Sequence, residues 1–406
     1  NSDRVREMVY RAPGDWGNYI KAAILRLQPR YQDVKLRGVN LALCGNVPVA
    51  AGLGSSSTIV VATLQAAIAL NNFDLTSRQF IDLCGEGEWF VGSRGGPGNH
   101  AAIYLGQREK IAHVGYFPFR VEKSVDAPQG YRLLIANSHV KAARDHQAKD
   151  IVNARLATYD LGLALLKQRC PQIAHAVEYF RDLDPAQLGC STSDAYRWLL
   201  KIPPVMSRRD FQTLLCREHR EMIETHFATH AEPSRYRTRA VLLYGLSEII
   251  RSRMCVEYLE AGRVEDLGTL MRVSHDGDRV SRPGPDGAYR PWEEDPSDEY
   301  LNRLIRDLAG EDPDKVLGAQ LYMQPGSYAC STPEIDQMVD VALSVRGVAG
   351  AQIAGAGLGG SIMILAREDR VEAVRRALAK HYYRPAGLKP AVIPSNAVEG
   401  AGLGEF

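Results

Sequence analysis

The chain has 406 residues, more than one hydrophobic core usually organises, so two domains are the first expectation. Its 49 Lys and Arg balance 48 Asp and Glu, and a net charge of +1 leaves no electrostatic footprint for nucleic acid or an anionic membrane. The expected partner is therefore a small molecule. Seven scattered cysteines without a CxxC pair fit reduced thiols in a cytoplasmic protein better than a disulfide framework. No apolar run approaches the roughly 18 residues that span a bilayer. The opening NSDRVREMVYRAPGDW lacks Met and reads like mid-protein, so the natural N-terminus is expected further upstream.

In chain order, DWGNYIKAAILRLQ (15–28) sets Ile20, Ala23, Ile24 and Leu27 on one face and predicts a helix starting after Asp15. VNLALCGNVPV (39–49) alternates like a strand and leads through AAGLGSSS into TIVVATLQAAIALNN, a small-residue helix ending at its Asn pair. TSRQFIDLCGEGEWFVG (76–92) predicts a helix capped by Thr76 or Ser77, which delivers the chain into SRGGPGNHAAIYLG (93–106). IAHVGYFPFRVEKSV and YRLLIANS read as strands, the second ending at Asn137. From about 145 to 275 the pattern is mostly helical, and 279–300 is a polar, Pro- and Gly-rich loop with the composition of a mobile segment. STPEIDQMVDVALSV predicts a capped helix, VAGAQIAGAGLGGSIMILA a strand, glycine turn and strand, and DRVEAVRRALAKHYY a last helix. There is no internal repeat.

Four stretches carry chemistry. VPVAAGLGSSST (47–58) follows a predicted strand and opens a helix, a layout in which backbone amides and the helix N-terminus converge on phosphate while serine hydroxyls bond phosphate or Mg2+. The lysine of a Walker A loop is missing, and a plain Gly-Ser turn capping a helix fits the same letters. AGAGLGG (354–360) is a second glycine turn, either a phosphate or substrate contact or an ordinary strand-to-strand connection. GEGEWFVGSRGGPGNHAA places Glu86 and Glu88, either oxygen ligands for Mg2+ or members of a solvated face, upstream of a turn whose Gly95, Gly96, Pro97 and Gly98 present the neutral amide of Asn99 beside His100. In CREHREMIETHFATH (216–230), His226 and His230 stand one helical turn apart without an HExxH, and a charged surface helix is the favoured reading over a metal site.

These pieces in this order resemble the GHMP small-molecule kinases, and within them the galactokinase branch. VPVAAGLGSSST is similar to the family's phosphate-binding motif and AQIAGAGLGGSIMIL to its C-terminal glycine motif. DWGNYIKAAI, ANSHVKAARD, RYRTRAVLLYGLSEI, LMRVSHD, STPEIDQMVDVAL and KPAVIPSNAVEGAG resemble galactokinase segments in matching order, over nearly the whole chain. The resemblance implies a two-domain fold: an α/β N-terminal domain like the second domain of ribosomal protein S5 over 1–135, a ferredoxin-like α+β C-terminal domain over 136–385, and a returning strand and tail over 386–406, with the active site in the cleft between domains. It implies ATP as cosubstrate, Mg2+ as cofactor, a monosaccharide as acceptor and a monomer or homodimer. On the matching positions, Gly52, Leu53, Gly54, Ser55, Ser56 and Ser57 would hold ATP phosphates, Trp16 would face adenine, and Ser56 with an acidic residue would hold Mg2+. Gly96, His100, Lys141 and Gly357 would face the sugar, with Gly355 to Gly360 lining the cleft.

Three departures qualify that reading. The family's opening sugar-binding motif, Glu-His-x-Asp, belongs before this chain begins. The acidic Mg2+ ligand would align with Gly87, so Glu88, or else Glu86, must serve, and Glu88 is preferred. The family's catalytic aspartate falls on Asn99, and a sugar-facing tyrosine on Lys149. The resulting expectation is a sugar 1-kinase with reduced turnover. The alternatives are a kinase of L-arabinose, a uronic acid or another hexose, and a catalytically silent sugar- and ATP-binding protein on the same fold.

Overall fold

A computed structural model describes residues 7, 11–12, 15–49, 51–91, 96–116, 119–141, 146–294 and 296–404, with backbone only at 146–148. The chain divides into two compact units, one formed by residues 1–129 and 395–406, the other by 130–394.

Among the described residues of the first unit, four helices pack around one core: α1 (Gly17–Arg30), α2 (Ser55–Leu70), α3 (Ser77–Phe90) and α4 (Gly98–Leu105). Helix α1 starts where the pattern places it, with Asp15 Oδ1 accepting from Gly17 N at 2.9 Å. Thr76 caps α3 reciprocally, its hydroxyl taking the Gln79 amide while the Gln79 side chain takes the Thr76 amide. Leu27, Val60, Leu64, Phe80, Ile81 and Cys84 interlock from three helices to form the core. Gly87 lets α3 lie close on α1, for a Cβ there would stand 3.6 Å from Ala23 Cα.

Two sequence expectations fail in this unit. The stretch read as a single strand through IAHVGYFPFRVEKSV is an antiparallel hairpin of β1 (Lys110–Gly115) and β2 (Arg120–Asp126), with Ile111 opposite Val125. Residues 39–49 form no strand, and Val39, Leu41, Leu43 and Val49 are exposed. Alternation makes a strand only where a neighbouring strand takes up its amides and carbonyls, and no described strand pairs with this segment. The terminal residues close the unit. Ala401 N donates to Ile103 O and Gly400 N to Gly106 O, which satisfies carbonyls at the end of α4.

The second unit holds a four-stranded sheet and a helical layer. Strands β3 (Tyr131–Asn137), β6 (Val348–Ala354), β7 (Ser361–Arg367) and β8 (Val392–Ser395) lie in the order β6-β7-β3-β8, with β7 antiparallel to both β6 and β3. One face is covered by the helices Pro333–Leu343 and Val371–Leu378 through Ile335, Met338, Val339, Val374 and Leu378. The helix Val264–Asp278 approaches the sheet at Gly268, where a Cβ would stand 2.1 Å from Ala349 O. A separate core, including Leu161, Leu165, Tyr196, Phe211 and Leu246, joins the long helices His146–Arg169 and Thr238–Glu260 to their neighbours.

The polar stretch 279–300 differs from the open loop its composition suggests. It contains a short hairpin of β4 (Ser281–Pro283) and β5 (Tyr289–Pro291), pinned at its base by carboxylates. Asp340 takes both terminal nitrogens of Arg279, at 2.7 and 3.0 Å, and the Tyr289 hydroxyl at 2.7 Å. Asp336 Oδ2 accepts from the amides of Val280 and Ser281 and from the Ser281 hydroxyl.

Candidate active site

The first unit builds its candidate site at the N-terminus of α2. Gly52 and Gly54 take left-handed backbone angles, φ +74° and +70°, where an L side chain is strained, so the turn into the helix depends on glycine. No side chain caps α2, and the amides of Ser55, Ser56 and Ser57 meet no acceptor among the described residues. Open amides at the positive end of a helix dipole form an anion site. Asn99, exposed on the first turn of α4, stands directly beside it: a Cβ on Gly54 would lie 3.3 Å from Asn99 Cγ. Loop and amide, 45 positions apart in sequence, thus share one surface.

Behind this surface lies a buried polar group. Glu88 is 8% exposed, and Ser57 donates its hydroxyl to Glu88 Oε1 at 3.0 Å. His100, 1% exposed, places Nε2 at 3.7 Å from the same oxygen, an electrostatic contact longer than a hydrogen bond. Burial pushes the Glu88 carboxyl up, but His100 first, then the Ser57 and Ser56 hydroxyls, outweigh it and hold the group below its ordinary value. Glu86 points elsewhere and pairs with Arg26. An all-oxygen donor set of one carboxylate and serine hydroxyls suits Mg2+, which takes few protein ligands and completes its shell with phosphate and water. Among the described residues no cluster of three or more His, Cys, Asp or Glu could hold a metal by itself.

The expected site residues lie in differing surroundings. His100, expected to face the sugar, is buried against Glu88. Gly96 is exposed, but the group that closely approaches this turn is protein: a Cβ on Gly98 would stand 2.1 Å from the Tyr116 hydroxyl. Gly95 lies outside the described residues. Trp16 is 57% exposed at the start of α1, and Lys149 is exposed on its helix in the second unit. Tyr116 gave no sequence signal, because its place over Gly98 is set by the hairpin. The inward turn of His100 was readable from GNHAAIYL, whose His100, Ala101 and Tyr104 fall on one helical face.

In the second unit, Gly355, Gly357, Gly359 and Gly360 all have positive φ, and so does Leu358 at +57°. This turn bonds the protein through two of its amides and one of its carbonyls. Leu358 N donates to Cys330 O at 2.6 Å, Gly360 N to Val140 O at 2.8 Å, and the buried Ser138 hydroxyl to Gly360 O at 2.6 Å. Gly357, expected at the substrate, faces Cys330, whose carbonyl oxygen would lie 2.2 Å from an added Cβ. Lys141 is exposed just beyond Val140. The histidines of 216–230 part company: His226 pairs with Asp160 at 3.1 Å, while His230 Nε2 meets the Tyr236 hydroxyl at 2.8 Å.

Comparison with known proteins agrees with this architecture. The GHMP kinases N terminal domain matches residues 18–107, inside the first unit, and the GHMP kinases C terminal domain matches residues 299–384, inside the second. The chain thus carries both domains of the GHMP kinases. Within them it is galactokinase-like: a galactokinase of Dictyostelium discoideum is 22% identical over 91% of this chain and 69% of its own length, and one of Haemophilus influenzae 24% over 95% and 76%. The crystal structure of Lactococcus lactis galactokinase complexed with galactose shares the fold at a TM-score of 0.61 and 16% identity, covering 95% of this chain and 76% of that one. No described helix is long and apolar enough to cross a membrane.

Proposed function

We propose that this kinase transfers the terminal phosphoryl group of ATP to the anomeric hydroxyl of a monosaccharide, and that Asn99 makes it a slow catalyst. The observation that carries the reading is the placement of Asn99 against Gly54, beside the open amides of Ser55, Ser56 and Ser57. Those amides and the dipole of α2 receive the phosphates, and Mg2+, when bound, neutralises phosphate charge, with Glu88 and Ser56 or Ser57 as its protein ligands. Exposed Trp16 is available to stack on the adenine.

Asn99 stands where the family's aspartate would take or orient the proton of the attacking hydroxyl. An amide oxygen accepts that hydrogen bond and orients the hydroxyl, but it does not take up a proton near neutral pH. Loss of a general base costs roughly 10²- to 10⁴-fold where proton removal limits the rate, and less where transfer is largely dissociative. Galactose, the sugar complexed with the Lactococcus lactis galactokinase, is the first candidate acceptor. The same amide also favours a second reading, a silent sugar- and ATP-binding protein.

One comparison separates the two. Sugar-dependent ADP release is measured for the chain and for Asn99→Asp across galactose, L-arabinose, other hexoses and uronic acids, with the new phosphate located by NMR. The kinase reading expects release that rises about 10²-fold or more in the aspartate form. Tight binding of sugar and MgATP without release in either form establishes the silent protein instead.

A further inference from the structure

We propose that His100 is a positioning residue for the divalent cation: by holding Glu88 it couples the helix that carries Asn99 to the metal side of the phosphate loop. The inference rests on the kinase reading above. His100 is 1% exposed, and neither ring nitrogen has a hydrogen-bond partner among the described residues. A buried ring with unmet polar capacity costs stability, so its place calls for a reason beyond packing. The charged group beside it is Glu88, with 3.7 Å between Nε2 and Oε1. Ser57 donates to that same Oε1 at 3.0 Å. Hydroxyl and ring therefore converge on one carboxylate oxygen and fix the orientation of the group that would meet a cation.

The helix supplies the coupling. Successive residues of an α-helix point about 100° apart, so a turn of α4 that presents Asn99 outward beside Gly54 directs His100 inward onto Glu88, as their exposures record. A shift of α4 that moves Asn99 must then also move the support of Glu88. His100 is buried behind the loop. It acts through Glu88, as a partner behind a metal ligand does, and replacing such partners typically costs about 10- to 100-fold in metal affinity.

The test measures Mn2+ affinity directly by electron paramagnetic resonance, using the full chain saturated with a non-hydrolysable ATP analogue. Affinity for the analogue without metal is measured by calorimetry. His100→Met fills the ring's volume without an N–H donor, and His100→Gln restores a donor of similar reach. We expect His100→Met to weaken Mn2+ binding at least about tenfold with metal-free analogue affinity and Tm little changed, and His100→Gln to recover most of the loss. Unchanged Mn2+ affinity in His100→Met overturns the proposal, as does an equal fall in metal-free and metal-dependent binding. Failure of His100→Met to fold leaves the decision to His100→Gln, where wild-type Mn2+ affinity supports the donor role and a loss refutes it. A wild-type chain that binds the analogue but no Mn2+ overturns the inference alone, while one that binds no analogue removes the kinase reading with it.

Discussion

The two glycine turns have similar composition and different surroundings. At Gly52 to Ser57 the turn leaves three helix amides without protein acceptors among the described residues, and the space beside Gly54 opens onto an exposed amide side chain. At Gly355 to Gly360 two of the turn's amides, those of Leu358 and Gly360, donate to Cys330 and Val140, and the space beside Gly357 is filled by a backbone carbonyl. Glycine makes room beside an exposed side chain in the first case and permits close backbone packing in the second. Glycine-rich composition alone therefore does not say what a turn packs against; the atom beside the missing Cβ does.

That contrast breaks most readily at Gly357. Alanine there puts a Cβ 2.2 Å from Cys330 O at a φ of +82°, so the turn must open or the Cys330 segment must move. The expected loss of stability is about 3–5 kcal/mol, read from denaturant unfolding. Gly387→Ala is the control, since φ there is +67° and nothing lies within 4 Å of the new Cβ. It should cost only about 1 kcal/mol. Equal losses at the two sites would show that the close approach of Cys330 is not what fixes the turn.

The backing of the second turn supplies a test in pH. Asp278 takes the Tyr244 hydroxyl at 3.0 Å, and its backbone carbonyl takes the Ser331 amide. Burial raises the Asp278 carboxyl to about 6, against an ordinary value of 3.8, despite the lowering effects of Tyr244, His275 and Cys330. A raised carboxyl binds its proton more tightly folded than unfolded. Its favourable contribution is therefore complete below about pH 4 and is lost as pH rises to about 6. Asp278→Asn removes that dependence, so the variant should gain on the wild type between pH 4 and pH 7 by about 2–3 kcal/mol, measured as the difference in unfolding free energy. A constant difference across that range would show that Asp278 keeps an ordinary affinity for its proton.

Local patterns carried much of this structure. The start of α1 after Asp15, the Thr76 cap and the strand, glycine turn and strand of 348–367 are set by neighbouring residues, and they stand where the sequence puts them. The failures involve partners that periodicity does not name. Residues 39–49 alternate correctly but find no described strand to pair with, and 279–300 looks open until Arg279 and Tyr289 meet Asp340 from a distant helix. The candidate site divides in the same way. The open loop was legible from GLGSSS and the inward face of His100 from GNHAAIYL, whereas the Glu88 partner of His100 and the Tyr116 hydroxyl over Gly98 depend on how α4 packs on α3 and the hairpin.

The smallest expected effect lies at Gly54, and it sharpens the contrast from the other side. Alanine at φ +70° costs about 1–2 kcal/mol of backbone strain, but its Cβ meets Asn99 side-chain atoms at 3.3–3.4 Å, and Asn99 is exposed and able to yield. The fold should survive with a Tm lower by only a few degrees. Binding should suffer more than folding, because relief of the strain rotates the first amides of α2 away from their common direction and the displaced Asn99 crowds the same space. We expect calorimetric affinity for MgATP to fall about three- to tenfold, an energy of roughly 1 kcal/mol. Unchanged affinity in a folded Gly54→Ala variant would mean that the open amides of α2 do not receive the phosphates. The two glycine turns would then both be structural, and the nucleotide would have to be sought elsewhere in the chain.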